Sequence, residues 1–196
     1  MIPRMEKGPD MSRRKFLGGA LAAGASLVSG EALAQARDPR IESQEFQRFR
    51  SMLERMSSLS DEFAKLSVSN SMTTEPAQLK DAVRAAEEKR IATASHLATG
   101  ARDLLKRMQP YLQSTGRVPN SVLFDFRQYA SELKGAATIL VDDERNFKKT
   151  LLDTYLKERL RLSDETETIL EKRGLLLRQK VRPYVDLNLI EAIKTL

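Results

Sequence analysis

Side chains that could carry chemistry are few in this sequence, and they are not arranged as catalytic or metal-binding groups usually are. The chain contains a single histidine, His96, and no cysteine. This composition excludes thiol enzymes, Cys-based zinc sites and multi-His metal centres. Thr93 stands three positions before His96, so the Glu-x-x-His motif of di-iron helical bundles is absent. We therefore expect His96 to lie on the surface, and we expect the protein not to be an enzyme.

One acidic run is a candidate ion site. Asp142-Asp143-Glu144 offers the carboxylates that calcium prefers. The run lacks the alternating ligands and the glycine of an EF-hand loop. Asp142 or Asp143 is better placed to cap a helix that begins at Glu144. We therefore predict no directly bound metal or other cofactor.

The balance of charge is more informative than any single motif. The chain has 33 Lys and Arg against 27 Asp and Glu, which gives a net charge of +6 at pH 7. A basic face can dock on acidic protein surfaces. Alternatively, these side chains form solvated helix faces with i,i+4 ion pairs, as Glu87-Glu88 is expected to do. The basic residues in question are Arg84, Lys89, Arg90, Arg102, Lys106, Arg107, Arg127, Lys134, Lys148, Lys149, Lys157, Arg159, Arg161, Arg173, Arg178, Lys180 and Arg182.

The first 36 residues have the organisation of an export signal. Arg13 and Arg14 precede Phe16-Leu17 and an apolar stretch, as in a twin-arginine signal. Small residues at Ala34 and Ala36 match a signal-peptidase site. The stretch is too short to span a bilayer stably. We expect residues 1–36 to be removed and the protein to reach a bacterial periplasm or a thylakoid lumen.

The remaining sequence is dominated by helix-forming residues with apolar positions at three- and four-residue steps. Gly174 is expected to end a helix, and Pro183 to interrupt the last one. The Ser/Thr-rich stretch 67–76 is predicted to be a loop. The predicted helices are 42–66, about 77–112, about 120–141, about 144–173 and 175–196.

Short connections between long helices favour antiparallel neighbours. The prediction is an all-α protein: an up-and-down four-helix bundle over 77–196, with an additional N-terminal helix and linker in 37–76. No second long apolar segment follows the export signal.

Two segments of the chain resemble PsbQ, the extrinsic lumenal subunit of photosystem II. The first is VLFDFRQYASELK at 122–134, with Pro119 just upstream. The second is KKTLLD at 148–153, which is similar to the opening of the family's next helix. Residues 101–105, ARDLL, also resemble the family's preceding helix. The resemblance covers about residues 101–160.

This resemblance implies a helical subunit that docks on the lumenal surface of the photosystem II core and on its extrinsic partners. Such a subunit stabilises the oxygen-evolving complex and helps to retain calcium and chloride without ligating the metals. The residues expected to dock are Arg127, Lys134, Lys148 and Lys149. The residues expected to serve packing and helix geometry are Val122, Asp125, Ala130, Ser131 and Leu133.

Two alternatives remain at this stage. One is a PsbQ-like lumenal subunit of the chloroplast NADH dehydrogenase-like complex. The other is a bacterial periplasmic helical bundle, exported by the twin-arginine route, that acts as an adaptor or ligand-binding module. Nucleic acid is disfavoured as a partner because the export signal directs the protein away from it.

Overall fold

The computed structural model describes residues 37–72 and 75–188, and its regular structure in these ranges is entirely helical. The all-α prediction is therefore confirmed. The export signal, with Arg13, Arg14, Ala34 and Ala36, lies outside the described residues. The helices are α1 Pro39–Glu42, α2 Gln44–Met56, α3 Leu59–Ala64, α4 Ala77–Gln113, α5 Asn120–Lys157, α6 Asp164–Lys180 and α7 Arg182–Asp186.

The N-terminal segment is three helices rather than the single helix expected over 42–66. Ser43 ends α1 and caps α2, because its Oγ accepts the Phe46 backbone N–H at 3.2 Å. A second break at Ser57 and Ser58 separates α2 from α3. The apolar spacing runs through both breaks, so periodicity alone does not reveal them.

Helix α5 is continuous through the point where the sequence predicted a break. Asp142 pairs with Arg145 on the surface, and Asp143 pairs with Lys89 of α4, so neither caps a new helix. Glu144 instead takes a core-facing position of the same helix, where it is buried. The predicted helices 120–141 and 144–173 are wrong because a buried carboxylate interrupts the apolar pattern without interrupting the helix.

Helix α5 ends at Lys157, and the residue type that follows does not predict a helix end. Arg159 has φ 55°, in the left-handed region that favours glycine. The Arg159 N–H donates to the Leu156 carbonyl at 3.2 Å, and the Leu160 N–H donates to the Tyr155 carbonyl at 2.9 Å. This is a Schellman motif built on arginine instead of glycine.

Gly174 lies inside α6, so the break expected there is wrong. The expected interruption near Pro183 is confirmed, because α6 ends at Lys180 and Pro183 stands in the first turn of α7. The last long helix of the described chain therefore begins at Asp164, ten residues before Gly174, and residues 189–196 of the predicted helix 175–196 lie outside the described residues.

The long helices α4 and α5 pack antiparallel to each other. Lys89 contacts Asp143 near one end of the pair, and Tyr111 contacts Phe126 near the other, with ring centroids 6.0 Å apart. The segment α2–α3 packs on α4, and α6–α7 closes against α5 and α2–α3. Tyr184 of α7 shows this closure, since its hydroxyl donates to the Ala130 carbonyl at 2.8 Å.

The described residues form two apolar clusters. The larger one includes residues from all seven helices, so the N-terminal helices share a core with residues 77–188. The smaller one lies toward the other end of the long helices, where Val68 and Met72 pack with Phe147 and Leu170. Buried charged side chains lie between the two clusters.

Two glycines in the long helices should differ in their response to substitution by alanine. We expect Gly135→Ala to raise the free energy of unfolding by about 0.5–1 kcal/mol, because a Cβ there meets nothing within 4 Å and alanine favours the helix. At Gly100 the added Cβ would overlap Cδ2 of the buried Leu133. Gly100→Ala should not gain this stability. Urea unfolding of both variants is the measurement, and an equal gain at both sites would contradict the close approach.

Candidate docking site

Four buried charged side chains from three helices meet between the two apolar clusters. They are Glu87 and Arg90 of α4, Glu144 of α5 and Arg173 of α6, and each is at most 7% exposed. We call this set the charge cluster. Two carboxylates and two guanidinium groups make it neutral as a whole, as burial of charge requires.

Arg173 is the centre of the charge cluster. Its Nη1 donates to Glu87 Oε1 at 2.6 Å, and its Nη2 donates to Glu144 Oε2 at 2.5 Å. One guanidinium therefore links the carboxylate of α4 to that of α5. The guanidinium carbon also lies 4.6 Å from the ring centroid of Phe63 in α3. Arg173 thus connects α3, α4 and α5 to α6.

Arg90 completes the charge cluster from the other side of Glu144. Its Nε lies 3.3 Å from Glu144 Oε2, and its guanidinium carbon lies 3.6 Å from the Phe147 ring centroid. Burial lowers the pKa of Arg90 to about 10, although the Glu144 carboxylate opposes the shift. Arg90 therefore remains cationic at neutral pH.

Glu87 also fixes the loop between α3 and α4. Its carboxylate accepts the backbone N–H groups of Val68 at 2.6 Å and Ser69 at 2.9 Å, and the Ser67 hydroxyl at 2.9 Å. Burial acts to raise the pKa of Glu87, but these donors and Arg173 hold it below its ordinary value. These bonds stabilise the ionised form of Glu87 and hold the loop in place.

A cleft of about 610 Å³ lies beside the charge cluster, between α5 and the α6–α7 segment. Glu144 belongs to both the cleft lining and the charge cluster. Gly174 contributes no side chain to the wall, and a Cβ there would meet nothing within 4 Å. The apolar lining residues are Val141, Leu170, Leu175 and Leu177.

Basic side chains line both walls of the cleft. Arg145 and Lys148 come from α5, while Arg178 and Arg182 come from α6 and α7. Arg145 pairs with Asp142, and Arg182 with Asp186, through exposed contacts of little energetic value. Among the described residues, Lys148 and Arg178 form no ion pair.

Exposed leucines extend the apolar surface of the cleft along α5. Leu152 and Leu156 follow Lys148 at four-residue steps, so they continue one row of the helix surface. Leu152 is 39% exposed and Leu156 is 75% exposed, while Leu175 on the opposite wall is 51% exposed. Exposed apolar side chains in a row are typical of a contact surface.

The four residues expected to dock have different environments. Lys148 and Lys149 are exposed, with Lys148 in the cleft lining, and Arg127 is half-buried. Lys134 is also half-buried, and its Nζ donates to the Leu187 carbonyl at 2.9 Å. This bond links the segment after α7 to α5, and the docking role of Lys134 stays a prediction.

The residues expected to serve packing also divide. Ala130 and Leu133 are buried and Val122 is half-buried against the main core. Asp125 and Ser131 are exposed on α5, so their side chains lie outside the core.

Three members of the charge cluster were assigned to the surface from sequence. Glu87 was expected on a solvated face, and Arg90 and Arg173 among the basic surface residues, but all are buried. A signal was present: the series Val83, Glu87, Arg90, Ala94 keeps the four-three spacing of core positions. Spacing was therefore a better guide here than residue type.

Over residues 37–72 and 75–188, no group of histidine and acidic side chains is arranged to hold a metal ion. His96 is exposed, as expected. No helix in the described part of the chain combines the length and apolar character needed to cross a membrane.

Comparison with known proteins found no matching family, no similar curated protein and no similar solved structure.

Proposed function

We propose that this chain is a non-catalytic docking subunit that binds an acidic protein surface through its basic cleft. The observation that carries this proposal is the pair Lys148 and Arg178, which stand unpaired among the described residues on opposite walls of an apolar-lined cleft. Unpaired cations beside apolar surface favour an acidic partner, because their charge accelerates association and sets its orientation.

The specific proposal is a PsbQ-like extrinsic subunit of photosystem II at the lumenal face of the thylakoid membrane. It rests on the resemblance over residues 101–160 and on the twin-arginine signal. The subunit would stabilise the oxygen-evolving complex and help to retain calcium and chloride. An up-and-down four-helix bundle is part of the proposal. The sequence prediction placed its four helices within residues 77–196, whereas the members now proposed are α2–α3, α4, α5 and α6–α7.

One observation favours a second candidate, a periplasmic adaptor exported by the twin-arginine route. Residues 39–64 form helices that pack in the main core, whereas the PsbQ family has a Pro-rich extended segment in this part of its chain. Both candidates use the basic cleft, and they differ in the partner and the membrane.

A salt-wash experiment separates the two candidates. Thylakoid or periplasmic membranes are washed with rising salt, and release of this protein is followed together with oxygen evolution. For the photosystem subunit, we expect release from photosystem II particles and a loss of oxygen evolution that calcium or chloride restores. Absence from those particles would reject this candidate and leave the adaptor or a subunit of another lumenal complex, such as the chloroplast NADH dehydrogenase-like complex.

Charge reversal of Lys148 and Lys149 should weaken the salt-sensitive association on the order of tenfold at low salt, because two exposed cations become anions. Helicity by circular dichroism should be unchanged, since both side chains are exposed. The matched control reverses Arg48 and Arg55, two exposed cations of α2. Equal weakening by both double variants would indicate a general charge effect and contradict docking at the cleft.

A further inference from the structure

The strongest unpartnered surface of the described chain is the cleft together with its apolar extension. We name this surface the docking groove, and it consists of the cleft lining plus Leu152 and Leu156. We infer that the docking groove binds an amphipathic helix of a partner protein, with leucine-like residues on one face and carboxylates at the borders. This inference rests on the proposed docking function and specifies the structure of the partner.

The dimensions of the docking groove fit a helix. From Val141 to Leu156 the α5 wall extends about 22 Å, or about four helical turns. The cleft volume of about 610 Å³ accommodates several aliphatic side chains. A partner helix would therefore insert one apolar face and leave its polar face in water. Recognition of this kind uses anchors at i, i+3 or i+4, and i+7.

The apolar part of the docking groove is exposed. Leu175 on the α6 wall is 51% exposed, and Leu156, which continues the α5 wall beyond the cleft lining, is 75% exposed. Gly174 keeps the space between those walls open where any larger residue would narrow it. An occupant that covers these leucines gains their burial from water, which charge alone would not provide.

The charges of the docking groove favour an occupant that carries negative charge. Cations stand on both walls, with Arg145 and Lys148 opposite Arg178 and Arg182, and only Glu171 among the exposed lining residues opposes them. Cations on two walls match carboxylates spaced along both borders of a helix better than they match a single anionic head group.

The charge cluster neutralises the one buried carboxylate that lines the docking groove. Glu144 lines the cleft and would repel an acidic helix if it were unpaired. Its carboxylate is bonded to Arg173 at 2.5 Å and lies 3.3 Å from Arg90, so its charge is balanced from within the protein. Because Arg173 and Arg90 balance the charge of Glu144, the exposed cations of the groove give its surface a net positive charge.

A fluorescence titration tests the inference on the full chain. The protein has no tryptophan, so Leu175→Trp introduces a single reporter in the docking groove. The matched control is Phe124→Trp, at a position that is 62% exposed on α5 and outside the cleft lining. The probe is a synthetic 18-residue helical peptide with Leu on one face and Glu along both borders. We expect a saturable blue shift at position 175 and none at position 124.

Variants of the peptide and of the groove separate the two contributions to binding. Peptides with Leu replaced by Ser, or with Glu replaced by Lys, should bind at least tenfold more weakly. In the reporter protein, Gly174→Leu should reduce affinity by filling the cleft, whereas Gly135→Leu, at an equally open helical glycine, should not. Leu156→Ser should weaken binding more than Phe124→Ser does.

Several outcomes would overturn the inference. Two concern specificity: equal shifts at positions 124 and 175, and equal binding of the Ser or Lys peptides. Two concern another occupant: a fluorescence shift with anionic lipid vesicles but not with the peptide, and a shift that depends only on protein concentration. The last two would assign the groove to a membrane surface and to a second copy of the chain.

The inference and the proposed function fail separately. In one outcome, the protein does not bind the peptide, and Gly174→Leu and Leu156→Ser leave its salt-sensitive association with membranes unchanged. This outcome would reject the helix-binding groove and keep the docking subunit. Peptide binding without any salt-releasable association with membranes would keep the groove and reject the assignment to a membrane-bound assembly.

Discussion

Replacing Arg173 by methionine should lower the free energy of unfolding by about 3–5 kcal/mol, the usual cost of removing one partner from a buried ion pair. Arg173 is 1% exposed, and its loss leaves the carboxylates of Glu87 and Glu144 with Arg90 as their single buried countercharge. Methionine fills similar volume, so the effect is electrostatic rather than a cavity effect. Urea unfolding followed by circular dichroism measures it.

A matched control and a second-site variant distinguish charge from general disruption of α6. Arg178→Met changes an exposed arginine of the same helix and should alter stability by less than about 0.5 kcal/mol. Adding Glu144→Gln to Arg173→Met restores neutrality, because Arg90 and Glu87 remain, and Glu87 keeps its bonds to the α3–α4 loop. The double variant should therefore be more stable than Arg173→Met alone. If Glu144→Gln instead adds a further loss, the electrostatic account of the charge cluster is wrong.

The second large effect is expected at Asp38, which fastens the start of the described chain to the α4–α5 connection. Its carboxylate accepts the backbone N–H groups of Arg40 at 3.0 Å and Val118 at 2.8 Å, and it pairs with Arg40 Nη2 at 2.6 Å. Asp38→Ala removes a helix cap and leaves a buried N–H unpaired. We expect a loss of about 2–3 kcal/mol in unfolding free energy.

Asp103→Ala is the control, because Asp103 is an exposed carboxylate in the middle of α4. It should change the unfolding free energy by less than about 0.5 kcal/mol. A similar loss at Asp38 and Asp103 would mean that the contacts to Val118 and Arg40 do not stabilise the fold.

The pH dependence of Asp38→Asn provides a further test of the same contacts. The Arg40 side chain and the backbone N–H of Val118 hold the pKa of Asp38 well below its ordinary value, although burial acts to raise it. The folded state therefore binds this proton less readily than the unfolded state does. The contribution to stability is complete above the ordinary aspartate pKa and is lost as pH falls through the folded value. Asp38→Asn should flatten the acid limb of the stability profile, and an unchanged limb would contradict this role.

The buried charge cluster has an energetic cost and a structural consequence. Desolvation of two carboxylates and two guanidinium groups offsets much of their mutual attraction, so the charge cluster is not expected to add much net stability. Its consequence is relative position: Arg173 meets both Glu87 and Glu144 only when α4, α5 and α6 are in one axial register. That register places Lys148 and Arg178 on opposite walls of the cleft.

The amino-acid sequence by itself determined the helical class and most core positions. Leu, Ala, Glu, Lys and Arg favour helices, and the three-and-four spacing of apolar residues includes Leu97, Leu104 and Leu140, all of them buried. Helix α4 was predicted to within a residue at each end, because Pro76 precedes it and a polar turn follows it. Local propensity and periodicity act over a few residues, so one sequence is enough to read them.

Tertiary structure alone decided where helices end and which charges are buried. Arg159 adopts a left-handed conformation that its residue type disfavours, and Gly174 remains helical where its type favours a break. Glu87 and Arg173 are 86 residues apart, and their burial is tolerable only because each supplies the other's countercharge. Such compensation depends on contacts between distant segments, which residue type and spacing do not encode. The docking groove arises in the same way, from the separation of α5 and α6 that this packing imposes.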